Sequence, residues 1–255
     1  MVNEFITALQ FLTRLRLVRE PDCDMATFGR SVRFFSLVGC VAGILVAIVA
    51  LFTAGWLPGT VRSTLLVFLA VLLTGGLHCD GLMDTADGVM SGRPRERALE
   101  IMKDSRVGAF GVIAIIFLLL GKWSLIHDMP ESLLPYALVS MMTIGRFAMT
   151  AVIVYFPYAR PEGMGKAFAE YAGKKSFFFS ALTIAGMVLG FYFAGGIFVA
   201  GVTVVASLAA LLFSLWAGHR LTRFLGGLTG DTYGAVTELS EMLTLVVFLL
   251  AAYVK

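Results

Sequence analysis

FFSLVGCVAGILVAIVALFTAGW, residues 34–56, decides what kind of protein this is. The run carries no charged residue. It is long enough to cross the hydrocarbon core of a bilayer as one helix, which takes about 20 largely apolar residues. Six further stretches read the same way: 64–77, 108–126, 133–156, 177–195, 197–217 and 236–254. The stretch 64–77 is short and borrows from the polar segment after it. The stretches 177–195 and 197–217 are separated only by a Gly195-Gly196 turn and predict a tight antiparallel hairpin. Pro157 and Pro161 mark the end of the fourth span, and no tandem repeat or low-complexity linker interrupts the chain. The expectation is an all-α, polytopic integral membrane protein of about seven transmembrane helices, forming a single membrane-embedded domain over residues 1–255.

Composition agrees. Of the 255 residues 58% are apolar and 15% are charged, against roughly 25% charged in an average soluble protein. Mean hydropathy is +0.87. These values exclude a disordered chain, a disulfide scaffold and an ordinary cytosolic enzyme. A net charge of +3 is too small to argue for nucleic acid as a partner. Cys23, Cys40 and Cys79 lack metal-site spacing and read as free thiols in or near a reducing cytosol. The N-terminal segment does not read as a signal peptide. Phe5, Leu9 and Leu12 share one stripe, with Arg14, Arg16 and Arg19 just beyond, which predicts a short interfacial amphipathic helix.

Basic residues orient the spans. Residues 1–33 carry five Lys or Arg, 79–106 five, 157–176 four and 218–235 two, together sixteen of twenty, whereas the loops 57–63 and 127–132 hold only Arg62. With seven alternating spans the four basic loops fall on one side, so the N-terminus is placed in the cytoplasm and the C-terminus outside.

The polar stretch 78–111, HCDGLMDTADGVMSGRPRERALEIMKDSRVGAFG, is where chemistry concentrates. Asp80, Asp84 and Asp87 are spaced i, i+4, i+7, which on a helix puts three carboxylates within an arc of roughly 60°. No basic residue lies between them, and like charges stacked at a membrane edge call for a cation. Oxygen-only ligands favour Mg²⁺ or Mn²⁺. A second acidic pair, Glu100 and Asp104, lies on what reads as a helix over 94–106 with Pro94 in its first turn. Two such helices could close a carboxylate cage, with Asp80, Asp84, Asp87 and Glu100 as candidate metal ligands at the cytoplasmic edge. Arg93, Arg95, Arg97, Lys103 and Arg106 surround it. Of these, Lys103 and Arg106 are candidate clamps for a diphosphate, and Arg95, Glu96 and Arg97 read as a solvated loop.

Three motifs carry a resemblance. DxxDG at Asp84–Gly88, followed by the acid-xxx-acid pair Glu100/Asp104, partly resembles the CDP-alcohol phosphotransferase signature, without its Ala-Arg and with Glu for Asp. H-x-DGLxDTADG, EIMKDSRVGAFG and the late GGLTGDTYGA together more closely resemble the cobalamin synthase family, as do FLTRL at 11–15 and FFSLVG at 34–39. These enzymes are adenosylcobinamide-GDP ribazoletransferases, also called cobalamin-5′-phosphate synthases. The likeness spans nearly the whole chain. It implies a cell-inner-membrane transferase with its active site facing the cytoplasm. The ribose 5′ oxygen of α-ribazole, or a phosphate oxygen of its 5′-phosphate, would attack the β-phosphorus of adenosylcobinamide-GDP, GMP would leave, and the lower nucleotide loop of the cobamide would be completed. Asp104 is the candidate base, by its place in the acid-xxx-acid pair. The expected cofactor is Mg²⁺, with Mn²⁺ as an alternative; the expected partners are the two small-molecule substrates and the lipid bilayer, and a homo-oligomer stays open. A CDP-alcohol phosphotransferase of lipid metabolism and a cation transporter are the competing readings. Acids gathered at one edge and the absence of an inverted repeat speak against the transporter.

Other polar residues fill in the expected site. GGLTGDTYGA, 226–235, reads as a cytoplasmic loop whose glycines admit a phosphate, with Thr229, Gly230 and Asp231 as candidate substrate contacts. Arg93 and His78 are further candidates. Arg146 lies mid-span, so it must face the interior, either paired with a carboxylate or touching substrate phosphate. Glu238 and Glu241 lie early in the last span and could share the cavity, whereas His127 and His219 look interfacial.

Overall fold

The structure, a computed structural model, describes residues 1–18 and 24–254; Arg19 and Cys23 lie outside the described residues. Every element there is helical: α1 (Val2–Leu12), α2 (Met25–Arg30), a 3₁₀ turn (Ser31–Phe34), α3 (Phe35–Thr53), α4 (Gly59–Thr74), α5 (Leu77–Met90), α6 (Arg95–Ile101), α7 (Ala109–Asp128), α8 (Leu134–Tyr155), α9 (Met164–Tyr171), α10 (Lys174–Leu225) and α11 (Gly230–Val254). Extended pairing among the described residues is confined to one parallel bridge between Tyr158 and Leu228.

Five helices are long and apolar enough to cross a membrane, or six if α4 and α5, which meet at 88°, are counted as one bent span. The protein is therefore multi-pass. Its outer surface is what lipid requires: Phe52, Phe68, Phe117, Phe193, Ile197 and Leu212 are all exposed. α10 holds 52 residues, about 78 Å if straight at 1.5 Å per residue, far more than a bilayer core of roughly 30 Å. It breaks at Gly196, whose φ of 79° and ψ of −179° are not helical. Ala181, Ile184 and Val188 from one arm line the same groove as Ala200, Val204 and Leu208 from the other, as the expected hairpin requires.

α8 is the axis of the bundle. Leu138, Met141, Met142 and Ile144 are fully buried on it, and α3, α10 and α11 pack around it. α1 differs from its expected interfacial placement. Its Leu9 and Leu12 are buried against protein, and Phe11 meets the rings of Phe28, Phe35 and Phe168. The apolar stripe found a protein surface to cover before it could meet lipid, and Glu4 on the same helix is held by Arg30 and Arg33.

Candidate active site

Two successive glycines make the site possible. Gly75 and Gly76 have φ of +64° and +73°, a left-handed pair that only glycine adopts without cost. They turn the chain 88° out of α4 into α5. α5 carries Asp80, Asp84 and Asp87 on one face, as the spacing predicts. Asp80 is exposed, Asp84 half-buried and Asp87 buried. Asp87 accepts from the backbone N–H of Gly108 at 2.7 Å and of Gly111 at 2.8 Å. It thus caps α7, where the unpaired N–H groups and helix dipole favour an anion.

The fourth carboxylate arrives from the far end of the sequence. Leu228 N–H donates to Pro157 O at 2.8 Å and Ala159 N–H to Leu228 O at 2.7 Å, which ties the segment after α8 to the one before α11. Thr229 and Thr232 then exchange side-chain and backbone hydrogen bonds and start α11. This corrects the expected loop: GGLTGDTYGA is helical from Gly230 onward, because that reciprocal pair satisfies the first N–H groups. Thr229 is buried and Gly230 exposed. At Gly81 the backbones of α5 and α11 come so close that a Cβ would sit 2.7 Å from Asp231 O. Asp84 consequently feels the charges of Asp231, Asp80 and Asp87, with Arg160 as the opposing cation. Arg160 donates to Asp231 Oδ2 at 2.8 Å and reaches Met102 O at 3.5 Å.

The second acidic pair is arranged differently from its expectation. Helix α6 stops at Ile101 instead of running to 106, so Glu100 and Asp104 share no helical face. Asp104 instead accepts from the backbone N–H of Arg106 at 3.0 Å and from its guanidinium at 2.7 Å, a local turn that competes with the helix. Arg106 holds the Asp104 carboxyl down at about 2. Glu100 is exposed and paired with Arg97 at 2.7 Å. α6 does face α5, for Gly88 lies against Met102 and Ala98. Arg93, Lys103 and Arg106 are exposed, and Arg95 bonds Leu225 O at 2.7 Å.

Asp80, Asp84, Asp87 and Asp231 offer only oxygen and carry more negative charge than Arg160 cancels, which suits a hard divalent cation in type and charge. Among the described residues no three His, Cys, Asp or Glu side chains converge closely enough to hold one as they stand.

Deeper in the bundle lies a second polar cluster. Arg146 pairs with Glu241, and Lys122 with both Glu238 and Glu241. All four are buried. Arg146 is therefore paired with a carboxylate, the first of its two expected settings. Lys122 escaped the sequence reading, although a cation within the 108–126 run needs a partner, and Glu238 and Glu241, at i, i+3 on a neighbouring span, were there to supply it. Arg146 Nη2 also lies 3.2 Å from His78 Nδ1. His78 in turn lines a cavity of about 130 Å³ together with Asp80, Gly230, Asp231, Tyr233 and Phe168. Four of the residues singled out by sequence thus meet around one space, joined there by Tyr233.

Residues 4–249 match the family model for cobalamin-5-phosphate synthase. The chain belongs to that family. A relative from Desulfitobacterium hafniense is 38% identical over 249 residues, covering 96% of this chain and 94% of its own. One from Herpetosiphon aurantiacus is 40% identical over 250 residues, 97% and 96% of the two chains. One from Clostridium botulinum is 34% identical over 250 residues, 98% of each. All three carry the name adenosylcobinamide-GDP ribazoletransferase. No solved structure matches the chain significantly.

Proposed function

We propose that this protein is a divalent-cation-dependent, membrane-embedded transferase. It would join adenosylcobinamide-GDP to α-ribazole or its 5′-phosphate and release GMP, in the last steps of cobalamin biosynthesis. The observation that carries this reading is likeness over nearly the full length to relatives named for that activity. The acidic cluster supports it. Asp80, Asp84 and Asp231 would hold Mg²⁺ or Mn²⁺, with Asp87, each of whose oxygens keeps a second lone pair, behind them. The cation would supply charge neutralisation for the diphosphate. Arg160, held by Asp231, which also accepts from Thr229, would clamp a phosphate oxygen, and the exposed Lys103 and Arg106 are further candidates for that task.

The acceptor oxygen forms a bond to the β-phosphorus as the bond to the GMP oxygen breaks. Whether or not the acceptor carries a 5′-phosphate, a phosphodiester forms only if a ribose hydroxyl attacks, and that hydroxyl must shed its proton. The pairing with Arg106 holds the Asp104 carboxyl down, so Asp104 would act as base only once that pair opens. Counting α4 with α5 and each arm of α10 separately gives seven spans. With the basic loops inside, the cluster opens on the cytoplasmic face of the inner membrane.

The decisive assay uses purified protein, adenosylcobinamide-GDP, α-ribazole or its phosphate, and Mg²⁺. GMP release coupled to cobamide formation is expected, and no release with either acceptor overturns the reading. For sidedness, single cysteines at Ser91 and Arg223, in a background lacking the native three, should react with a membrane-impermeant thiol reagent only after the inner face is exposed. Gly226 is unsuitable as a reporter because its φ is +75°.

A further inference from the structure

His78 carries an unexplained donor. Its ring is buried, 1% exposed, and Nδ1 faces Arg146 Nη2 at 3.2 Å. A guanidinium has donors only and stays charged, so Nδ1 must be the accepting nitrogen and the proton resides on Nε2. Arg146 is itself fixed by Glu241 and by Met142 O at 3.2 Å, which locks the ring's tautomer and orientation. Nε2 has no hydrogen-bond partner, and neither does the buried hydroxyl of Tyr233. A buried donor left unpaired costs about 1–3 kcal/mol; both residues line one cavity, and a ligand seated there, with a small turn of either side chain, would satisfy them.

The cavity tells which ligand. At about 130 Å³ it is smaller than pockets that hold drug-sized molecules. It admits a flat heterocycle and not a corrinoid. Phe11, Leu77, Met149 and Phe168 give it mostly apolar walls, suited to a base with few polar edges. Asp80 and Asp231 line the same space, so a sugar attached to a base seated here reaches the acidic cluster. We infer that this cavity seats the heterocyclic base of the acceptor nucleoside, with His78 Nε2–H donating to an unprotonated ring nitrogen and the Tyr233 hydroxyl adding a second polar contact. The inference rests on the transferase reading above. It assigns the acceptor's base to this cavity and leaves the diphosphate to Arg160, which Asp231 holds at the cavity's edge.

The test is equilibrium binding to the full chain in detergent, without metal, followed by calorimetry. The probes are α-ribazole and its indole counterpart, in which C–H replaces the accepting ring nitrogen. On the unaltered protein the indole nucleoside should bind about tenfold more weakly, the loss of one buried hydrogen bond. This arm needs no mutation, so it stands even if a His78 variant disturbs Arg146. His78→Leu should weaken α-ribazole by about the same factor and abolish the discrimination, with GDP binding unchanged; Tyr233→Phe should have a smaller effect. Equal binding of both nucleosides to the unaltered protein would overturn the assignment. So would a His78→Leu protein that loses GDP and still discriminates, because the cavity would then belong to the donor nucleotide. If the unaltered protein releases GMP normally yet binds both probes equally, only the cavity assignment falls. If it releases none with either acceptor, the transferase reading falls and takes the assignment with it.

Discussion

Around Asp84 the carboxylates of Asp80, Asp87 and Asp231 press on a fourth of their kind, with Arg160 as the cation set against them. Inside the bundle Lys122 and Arg146 meet Glu238 and Glu241, cation for anion. The two regions touch through His78, which contacts Arg146 on one side and shares a cavity with Asp80 on the other. Their difference separates two uses of clustered charge. The inner set is balanced and every charge has a partner, which is how a low-dielectric interior tolerates ionised groups at all. The outer set is left short of positive charge. Asp87 has a folding role as the cap of α7, but a protein that had only to fold would gain nothing by stacking Asp80, Asp84 and Asp231 beside it, so the deficit is what a cation and a charged substrate are expected to fill.

The largest effect should come from removing that cation. EDTA should abolish GMP release, and Mg²⁺ or Mn²⁺ should restore it. Full turnover in metal-free buffer would break the comparison, because the outer set would then lack a ligand to balance it. Next, Asp84→Asn should lower kcat by about a thousandfold, roughly 4 kcal/mol of transition-state stabilisation, while the protein inserts normally and its thermal unfolding temperature holds or rises. The rise follows from relieving repulsion among like charges. A variant that unfolds but retains activity when folded would place Asp84 in the structural class.

The inner set should respond in the opposite sense. Glu241→Gln strips the partner shared by Lys122 and Arg146, and breaking a buried pair costs about 3–5 kcal/mol. Thermal unfolding in detergent should reveal the loss. Replacing Lys122 and Glu238 together, by Met and Gln, should cost less than either change alone, since no unmatched charge remains. Strict additivity of the two would mean the network is not a unit.

How much of this could be read beforehand depends on the range of the interaction. The apolar runs foretold which segments are helical, since a helix in lipid must satisfy its own backbone and so announces itself locally. Their ends fell elsewhere: α10 continues past 217 to Leu225 and α11 begins at Gly230, ahead of 236. Gly195-Gly196 foretold the break at Gly196 for the same local reason. The i, i+4, i+7 spacing put Asp80, Asp84 and Asp87 on one face of α5. What stayed hidden was long-range. Asp231 joins Asp84 only because the Pro157–Ala159 segment pairs with Leu228 and Gly81 admits the α11 backbone, and no spacing within one helix encodes that. Lys122 was hidden because its partners lie more than a hundred residues away. Asp104 illustrates the reverse failure. The spacing Glu100-xxx-Asp104 assumes a continuous helix, and a two-residue turn to Arg106 outcompetes its last turn.

The smallest expected effect falls on Glu100, and it bears most sharply on where the outer region ends. The acidic spacing makes Glu100 a candidate metal ligand from a second helix. The structure gives it Arg97 as a partner, with both side chains about two-thirds exposed, 64% and 65%. An exposed ion pair of this kind contributes about 0–1 kcal/mol. If Asp80, Asp84 and Asp231 hold the cation, Glu100→Gln should change kcat by less than about threefold and leave the Mg²⁺ concentration for half-maximal rate where it was. Glu96→Gln, another exposed residue on α6, supplies the baseline for a charge change at that position. A loss at Glu100 comparable to that at Asp84, with a raised Mg²⁺ requirement and a normal Glu96→Gln, would mean that α6 closes onto α5 when substrate and metal bind. The ligand set would then span both helices, and Gly88, already packed on Met102 and Ala98, would be the contact about which they close.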